Sequence, residues 1–470
     1  MTFRKVALGI AITVVVLISA LLITLWIRPP DLLRVGANYS AKIVCSNVFL
    51  AGRDPDEVLH ADVQAPGVAL LHLMRVSVDR EQRVVRAGLL GFIGHGLAVA
   101  RPDTGCAAVP DGNLEFARHA GAAAAPTISI ANSNSGSGAN TSSSTNAPWP
   151  EGNDVATNPS LDRLLTDDIL AGPGVRALVV VYHGRIVAER YAEGFSAKTP
   201  LLGWSMTKSV LAGLVGTLVK EGRLSLDQSA GWSAANGGGR ERIRIADLLA
   251  MSSGLRFNEA YGDVSDVTRM LYLQPDTAAF ARDQPLVHPP GEFWSYSSGT
   301  ANILARIVQD AAGPQGAHVA TDKLFTPLGM TSATIETDED GTMVGSSYMY
   351  ATARDWARYA LLLQQDGIWQ GQELLPRGYV AMMASPVTAS GGQYGHGLVW
   401  LWGSDAMVPG KNPDAAFGIP DDTFWMEGHD GQSIAVIPSR QLVVVRLGLT
   451  PARDHYQPQP LVRAVLGTVQ

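Results

Sequence analysis

The segment Leu202-Gly203-Trp204-Ser205-Met206-Thr207-Lys208-Ser209-Val210 decides how this chain is read. Apolar residues continue from it at Val210, Leu211, Leu214, Val215, Leu218 and Val219. That spacing describes a helix over 205–221 with one buried face. Ser205 and Lys208 stand three residues apart near its start, where helical side chains are neighbours on one face. A serine hydroxyl is a poor nucleophile until a base takes its proton. A lysine can serve as that base once burial lowers its pKa from about 10.4. A serine at a helix N-terminus also lies near unbonded backbone N–H groups, which favour developing negative charge. Of the seven lysines in the chain, only Lys208 has a serine three residues before it. A solvent-facing Ser/Lys pair on an ordinary helix has the same spacing, so the context has to decide.

Two further segments supply that context. Residues 289–304, PPGEFWSYSSGTANIL, run from a Pro-Gly turn through Tyr296, Ser297 and Ser298 into an apolar helix over 299–311. A tyrosine in such a loop can present its hydroxyl to a pocket, and Tyr296 could share the proton work with Lys208. Residues 427–434, EGHDGQSI, lead into a hairpin. A glycine-flanked entry to a strand can offer a backbone N–H to a bound carbonyl oxygen, with His429 lining the same pocket.

Residues 177–191, ALVVVYHGRIVAERY, read as two strands about a His183-Gly184 turn. Residues 433–449, SIAVIPSRQLVVVRLGL, read as two more about Pro438-Ser439-Arg440. Strands at both ends with helices between them indicate an α+β fold, an antiparallel sheet carrying a mainly helical second subdomain.

Ser-Met-Thr-Lys at 205–208, Tyr-Ser-Ser at 296–298 and His-Asp-Gly at 429–431, in this order, resemble the three signature elements of the β-lactamase-related serine hydrolases. That family joins class C β-lactamases, DD-peptidases, certain esterases and the 6-aminohexanoate-dimer hydrolase. The resemblance runs over about 155–470 and includes Leu324–Met330 (LFTPLGM) and Ala353-Arg354-Asp355-Trp356. It implies a β-lactamase/transpeptidase-like fold, with helices flanking the sheet. It implies that Ser205 forms an acyl-enzyme, that Lys208 keeps it activated and that Tyr296 relays protons. The oxyanion hole would come from the backbone N–H groups of Ser205 and Gln432. Ser298, His429 and Gly431 would face substrate. Residues 255–264, LRFNEAYGDV, resemble a loop of the 6-aminohexanoate-dimer hydrolase that carries a substrate-contacting tyrosine, here Tyr261.

The signatures also depart from the β-lactamase pattern. Position 298 is serine where Tyr-x-Asn is usual, and His429-Asp430 replaces the Lys-Thr of Lys-Thr-Gly. A lysine is a fixed cation suited to a substrate carboxylate, whereas a histidine is mostly neutral near pH 7. The expected substrate is therefore a small ester or amide. DD-peptidase or β-lactamase activity is the alternative, and a membrane sensor acylated only once is an alternative of another class. No G-x-S-x-G nucleophile elbow supports an α/β-hydrolase.

Upstream, residues 6–27, VALGIAITVVVLISALLITLWI, contain no charge and are long enough to span a bilayer. The expected organisation is an uncleaved membrane anchor over 1–30, a small extracytoplasmic segment of unknown role over 31–118, a flexible linker over 119–150 and the hydrolase domain over 151–470. Arg4 and Lys5 favour a cytoplasmic N-terminus and a periplasmic catalytic domain. Residues 73–90, LMRVSVDREQRVVRAGLL, alternate about a polar turn and suggest a hairpin. The linker contains NSNSGSGANTSSSTN at 132–146, too polar to bury a core. Cys45 and Cys106 could form one disulfide outside the cytoplasm. The net charge of −7 gives no nucleic-acid footprint. Neither C-x-x-C nor H-E-x-x-H occurs, and the chemistry proposed needs no metal or cofactor.

Overall fold

The computed structural model describes residues 2–120, 147–233, 238–404 and 411–469. Most of the stretch read as a linker, 121–146, lies outside the described residues. The chain divides into two compact units, Met1–His119 with Asn258–Asp276, and Ala120–Phe257 with Thr277–Gln470. Asn258–Asp276 thus groups with the N-terminal unit although it lies inside the 151–470 span.

The N-terminal unit opens with helix α1, Thr2–Ile27, followed after Pro29-Pro30 by α2, Asp31–Phe49. Phe3–Ile27 is long and apolar enough to cross a membrane, with a mean hydropathy of 3.0. Four antiparallel strands, β1 (Met74–Asp79), β2 (Val84–Leu89), β3 (Ile93–Arg101) and β4 (Gly105–Ala108), form a sheet in that order. The β1–β2 pair is the hairpin read from 73–90, with Met74 opposite Leu89. Helix α2 packs on this sheet. The approach is close enough that a Cβ on Gly96 of β3 would fall 2.2 Å from the Ala37 carbonyl oxygen. Cys45 of α2 and Cys106 of β4 form a disulfide. The returning segment is tied in by Asn38, whose Nδ2 donates to the Tyr272 carbonyl at 2.9 Å, and by an Arg269–Asp31 ion pair at 2.8 Å.

The second unit is built on a five-stranded antiparallel sheet. Its strands are β5 (Val175–Tyr182), β6 (Arg185–Tyr191), β7 (Phe424–Gly428), β8 (Gln432–Ile437) and β9 (Leu442–Gly448), in the order β7-β8-β9-β5-β6. Ala177–Val181 is buried residue after residue, as expected of a strand covered on both faces. Leu178 and Val180 join Ala435, Ile437, Leu442 and Val444 in a core closed by Leu461, Val462 and Val465 of the C-terminal helix. Val179 and Val181 point to the opposite face. A helix over Ala353–Gln364 packs on β5, β8 and β9.

The helix read from 205–221 is α3, Met206–Lys220. It differs from the one-faced helix that its spacing suggests, because every residue from Met206 to Leu218 is buried. The face opposite the large apolar residues carries Ser209, Ala212, Gly213 and Gly216, which let other elements approach closely. Two buried tyrosines use that space. The Tyr359 hydroxyl donates to the Ser209 carbonyl at 2.5 Å, and the Tyr379 hydroxyl to the Ala212 carbonyl at 2.8 Å.

Thiol titration of the unfolded, unreduced chain is expected to find no reactive thiol, and two after reduction. Two thiols before reduction would contradict the Cys45–Cys106 bond. Cys106→Ser is expected to lower the stability of the N-terminal unit by about 2–5 kcal/mol in denaturant titration.

Candidate active site

The site grows out of a short strand. Leu201–Leu202 pairs with Met349–Ala351, and the Gly203 N–H donates to the Met349 carbonyl at 3.0 Å. Trp204 then takes a left-handed conformation, φ 47°, which turns the chain sharply from strand into helix. That conformation is unfavourable for a bulky residue, and it is held on both sides. Thr207 donates its hydroxyl to the Trp204 carbonyl at 2.7 Å and accepts the Met349 N–H at 3.1 Å. Ser205 follows as the residue capping α3.

Lys208 lies inside the unit, 1% exposed. Its Nζ donates to Ser205 Oγ at 3.0 Å, to Ser298 Oγ at 3.2 Å and to the Ser346 carbonyl at 2.8 Å. Ser205, Ser298 and Ser346 thus each give the Lys208 Nζ an acceptor in place of water. Such hydrogen bonding is what makes a charge-bearing group tolerable away from water. The same Nζ stands 4.8 Å from the centre of the Tyr296 ring.

Tyr296 precedes α4, Ser298–Ala312, whose start is capped by Ser297 accepting the Thr300 N–H at 3.0 Å. The Tyr296 ring stacks on Trp400, centroids 5.4 Å apart, and meets Tyr394 edge-on at 6.0 Å. Ser298, expected above to face substrate, is fully buried with its hydroxyl on Lys208. The physical reason is its position as first residue of α4, which turns it inward.

The third segment forms the turn between β7 and β8. Gly428, the last residue of β7, lies so near the segment that follows Leu201–Leu202 that a Cβ there would fall 2.2 Å from the Gly203 carbonyl oxygen. This approach sets His429-Asp430-Gly431 beside Trp204, and the His429 and Trp204 rings meet edge to face at 5.7 Å. Asp430 and Gly431 are both left-handed, at φ 58° and 77°. The carbonyls of the turn are drawn back into the protein. Arg446 Nη1 donates to the Gly431 carbonyl at 2.7 Å, and the Thr450 N–H donates to the Asp430 carbonyl at 2.8 Å. Gln432 Nε2 donates to the His429 carbonyl at 3.3 Å. The Gly431–Gln432 peptide is trans, so its N–H points away from Arg446.

Ser205, Lys208, Tyr296, Ser298, His429, Gly431 and Gln432 all belong to the second unit. Tyr261 belongs to the returning segment of the first unit, where it is exposed and its hydroxyl lies 3.5 Å from the Glu259 carboxylate. Sequence reading passed over Ser346, Trp400 and Arg446. Ser346 contributes a backbone carbonyl, which has no side-chain signature. Trp400 sits in LVWLWG, an apolar run that reads as core, and Arg446 sits inside a strand pattern.

An antiparallel sheet with helices on both faces and a largely helical second region is the β-lactamase/transpeptidase-like fold, and the chain is a serine hydrolase of that fold. It belongs to the Beta-lactamase family, whose model matches residues 165–458. It is similar to the 6-aminohexanoate-dimer hydrolase of Paenarthrobacter ureafaciens, 27% identical over 304 residues, which cover 59% of this chain and 73% of that protein. Among solved structures, a Bacillus anthracis protein described as a 6-aminohexanoate-dimer hydrolase superposes with a TM-score of 0.52 at 20% identity, covering 67% of this chain and 85% of that one. A penicillin-binding protein from Bacillus halodurans gives 0.49 at 17% identity, covering 66% of this chain and 100% of that one.

One carboxylate on the strand leading into the turn is perturbed. Burial pushes the Glu427 carboxyl up to about 7, against hydrogen bonding from Ser404. Its Oε1 accepts the Ser404 N–H at 2.6 Å. The folded state therefore holds a proton that the unfolded chain, with a carboxyl near about 4.3, has already released. This group's contribution to stability is full below the unfolded value and is lost as pH rises through about 7. Glu427→Gln removes that loss. The melting temperature of the variant relative to the parent is expected to climb between pH 5 and pH 8, and a difference independent of pH would contradict the assignment.

Proposed function

We propose that this chain is a membrane-anchored hydrolase that cleaves a small ester or amide through an acyl-enzyme on Ser205. The observation that carries the reading is the enclosed Lys208 amine 3.0 Å from the Ser205 hydroxyl at the start of a buried helix. Tyr296 accepts the serine proton while Lys208 keeps the Ser205 hydroxyl activated, and Ser205 Oγ attacks the substrate carbonyl carbon. The backbone N–H groups of Ser205 and Gln432 bind the oxyanion, a role that suits a turn whose carbonyls are drawn away from it. Tyr296 then protonates the leaving alcohol or amine. Water repeats the sequence on the acyl-enzyme and frees Ser205.

The preference for esters or amides follows from His429 and Asp430, which stand where a fixed cation would suit a β-lactam carboxylate. It agrees with the activity that names the Paenarthrobacter ureafaciens relative, a 6-aminohexanoate-dimer hydrolase. His429 and Gly431 line the substrate path, Ser298 serves Lys208, and Tyr261 is a further candidate for a substrate contact. The apolar helix α1 is the anchor, with Arg4 and Lys5 cytoplasmic and the catalytic unit periplasmic. The Cys45–Cys106 disulfide suits an oxidising compartment.

The full chain in detergent is expected to turn over a short-chain aryl ester and to be labelled by a fluorophosphonate at Ser205. Ser205→Ala should abolish both. Lys208→Ala should lower kcat/KM by about 10³-fold or more, and Tyr296→Phe by about 10²–10⁴-fold. A Lys208→Ala variant with parental activity would sink the mechanism. A cephalosporin hydrolysed faster than any ester or short amide would sink the substrate assignment. A single acylation without turnover would instead identify a sensor.

A further inference from the structure

The turn between β2 and β3 carries an unusual sequence for its exposure. Leu89 pairs with Ile93, which leaves Leu90-Gly91-Phe92 as the tip. Leu90 and Gly91 are both left-handed, at φ 56° and 91°. Exposed turns with positive φ ordinarily take glycine, asparagine or aspartate. Here Leu90 is 49% exposed and Phe92 46%. Leu73 lies alongside, 48% exposed, its carbonyl accepting the Leu90 N–H at 3.0 Å. The other two hairpins of the same sheet turn through Arg80-Glu81-Gln82-Arg83 and Pro102-Asp103-Thr104, which carry no large apolar residue.

The position of this tip within the N-terminal unit says what covers it. His95, three residues beyond Phe92, has its Nε2 2.8 Å from the Trp26 carbonyl oxygen, and the two rings meet edge to face at 6.1 Å. Trp26 ends the apolar helix Phe3–Ile27, which is unburied along its length. At 1.5 Å per residue that helix reaches about 38 Å, enough to cross a hydrocarbon core of about 30 Å. Its terminal tryptophan therefore belongs at the lipid–water boundary, where tryptophan is enriched. Three extended residues span about 10 Å, so the tip lies within that distance of the boundary. Two basic residues could reach headgroup phosphates, one after α1 and one beside the tip. Arg28 follows α1, and the Arg75 Cβ lies 3.7 Å from where a Cβ on Gly91 would sit.

We propose that Leu73, Leu90 and Phe92 insert into the lipid interface as a second contact of the N-terminal unit with the bilayer, beside α1. The proposal rests on α1 being the membrane anchor. It gives the N-terminal unit a role: two contacts at separate points of the unit fix its orientation to the membrane, which a single helix leaves free to rotate. An exposed apolar turn is then favourable, because lipid and not water surrounds it.

Site-directed spin labelling of the full chain in phospholipid nanodiscs tests this. The native cysteines are paired, so a single introduced cysteine takes the label. Labels replace Phe92 at the tip, Val14 in the middle of α1 and Glu81 at the polar turn, and power saturation compares oxygen with a water-soluble nickel chelate. The label at 92 is expected to favour oxygen, at a depth of about 5–10 Å, between the hydrocarbon value at 14 and the aqueous value at 81. A label at 92 as aqueous as that at 81, with 14 in hydrocarbon, would overturn the insertion and leave the anchor standing. Aqueous behaviour at 14 as well would overturn the anchor and the insertion together. Spin–spin broadening at 92 that persists on dilution into excess lipid would overturn it in favour of a second copy of the chain.

Discussion

An amine withdrawn from water has to find its partners in the protein, and Lys208 draws them from three separate parts of the chain. Ser205 lies one turn back on its own helix, Ser298 opens α4, and Ser346 lends a carbonyl from the segment before Met349–Ala351. These are not independent. Asn302, one turn along α4 from Ser298, accepts the Ser346 N–H at 3.0 Å, so one helix supplies a ligand of the amine and holds the segment that supplies another. The tyrosine hydroxyls on the carbonyls of Ser209 and Ala212 fix α3 against the same surroundings. A shift of any of these elements would strand a polar group inside the unit.

The opposite wall obeys the same constraint with the polarity reversed. Each carbonyl of the His429–Gly431 turn is bonded from behind, two of them by side chains that are themselves buried. Arg446 spends its other N–H groups on Ala171, Pro173 and Thr450, and its guanidinium packs over the Tyr456 ring. Burial lowers its pKa, yet a guanidinium stays charged at any working pH. A permanent cation is thus fastened to the carbonyl side of a peptide whose N–H faces the other way. Dipoles held in place before a reaction need no reorganisation when charge develops.

Much of the site was legible because its logic is local. Three residues on a helix make neighbours whatever surrounds them, so Ser205 and Lys208 could be paired on spacing alone. The hairpins were legible for a similar reason, since short apolar runs and the turn residues between them are written within about fifteen positions. The enclosure of α3 was not, because Ser209, Ala212, Gly213 and Gly216 look neutral by hydrophobicity and become interior only when Tyr359 and Tyr379 fill the space above them. Ser298 was legible as part of the site but not in its direction, which depends on where α4 docks.

The sequence by itself determined the helix that carries Ser205 and Lys208, the strands of the three hairpins, the long apolar helix at the N-terminus and the family. All of these are read from residues close together in the chain or from the order of short motifs. Tertiary structure decided the rest: that Ser346 joins the lysine's partners, that Arg446 sets the turn at 429–431, that Cys45 meets Cys106, and that Asn258–Asp276 groups with the N-terminal unit. Each of these joins residues far apart in the chain. Backbone carbonyls, small residues and long-range pairings leave no periodic trace, and only the packing of whole elements brings them within bonding distance.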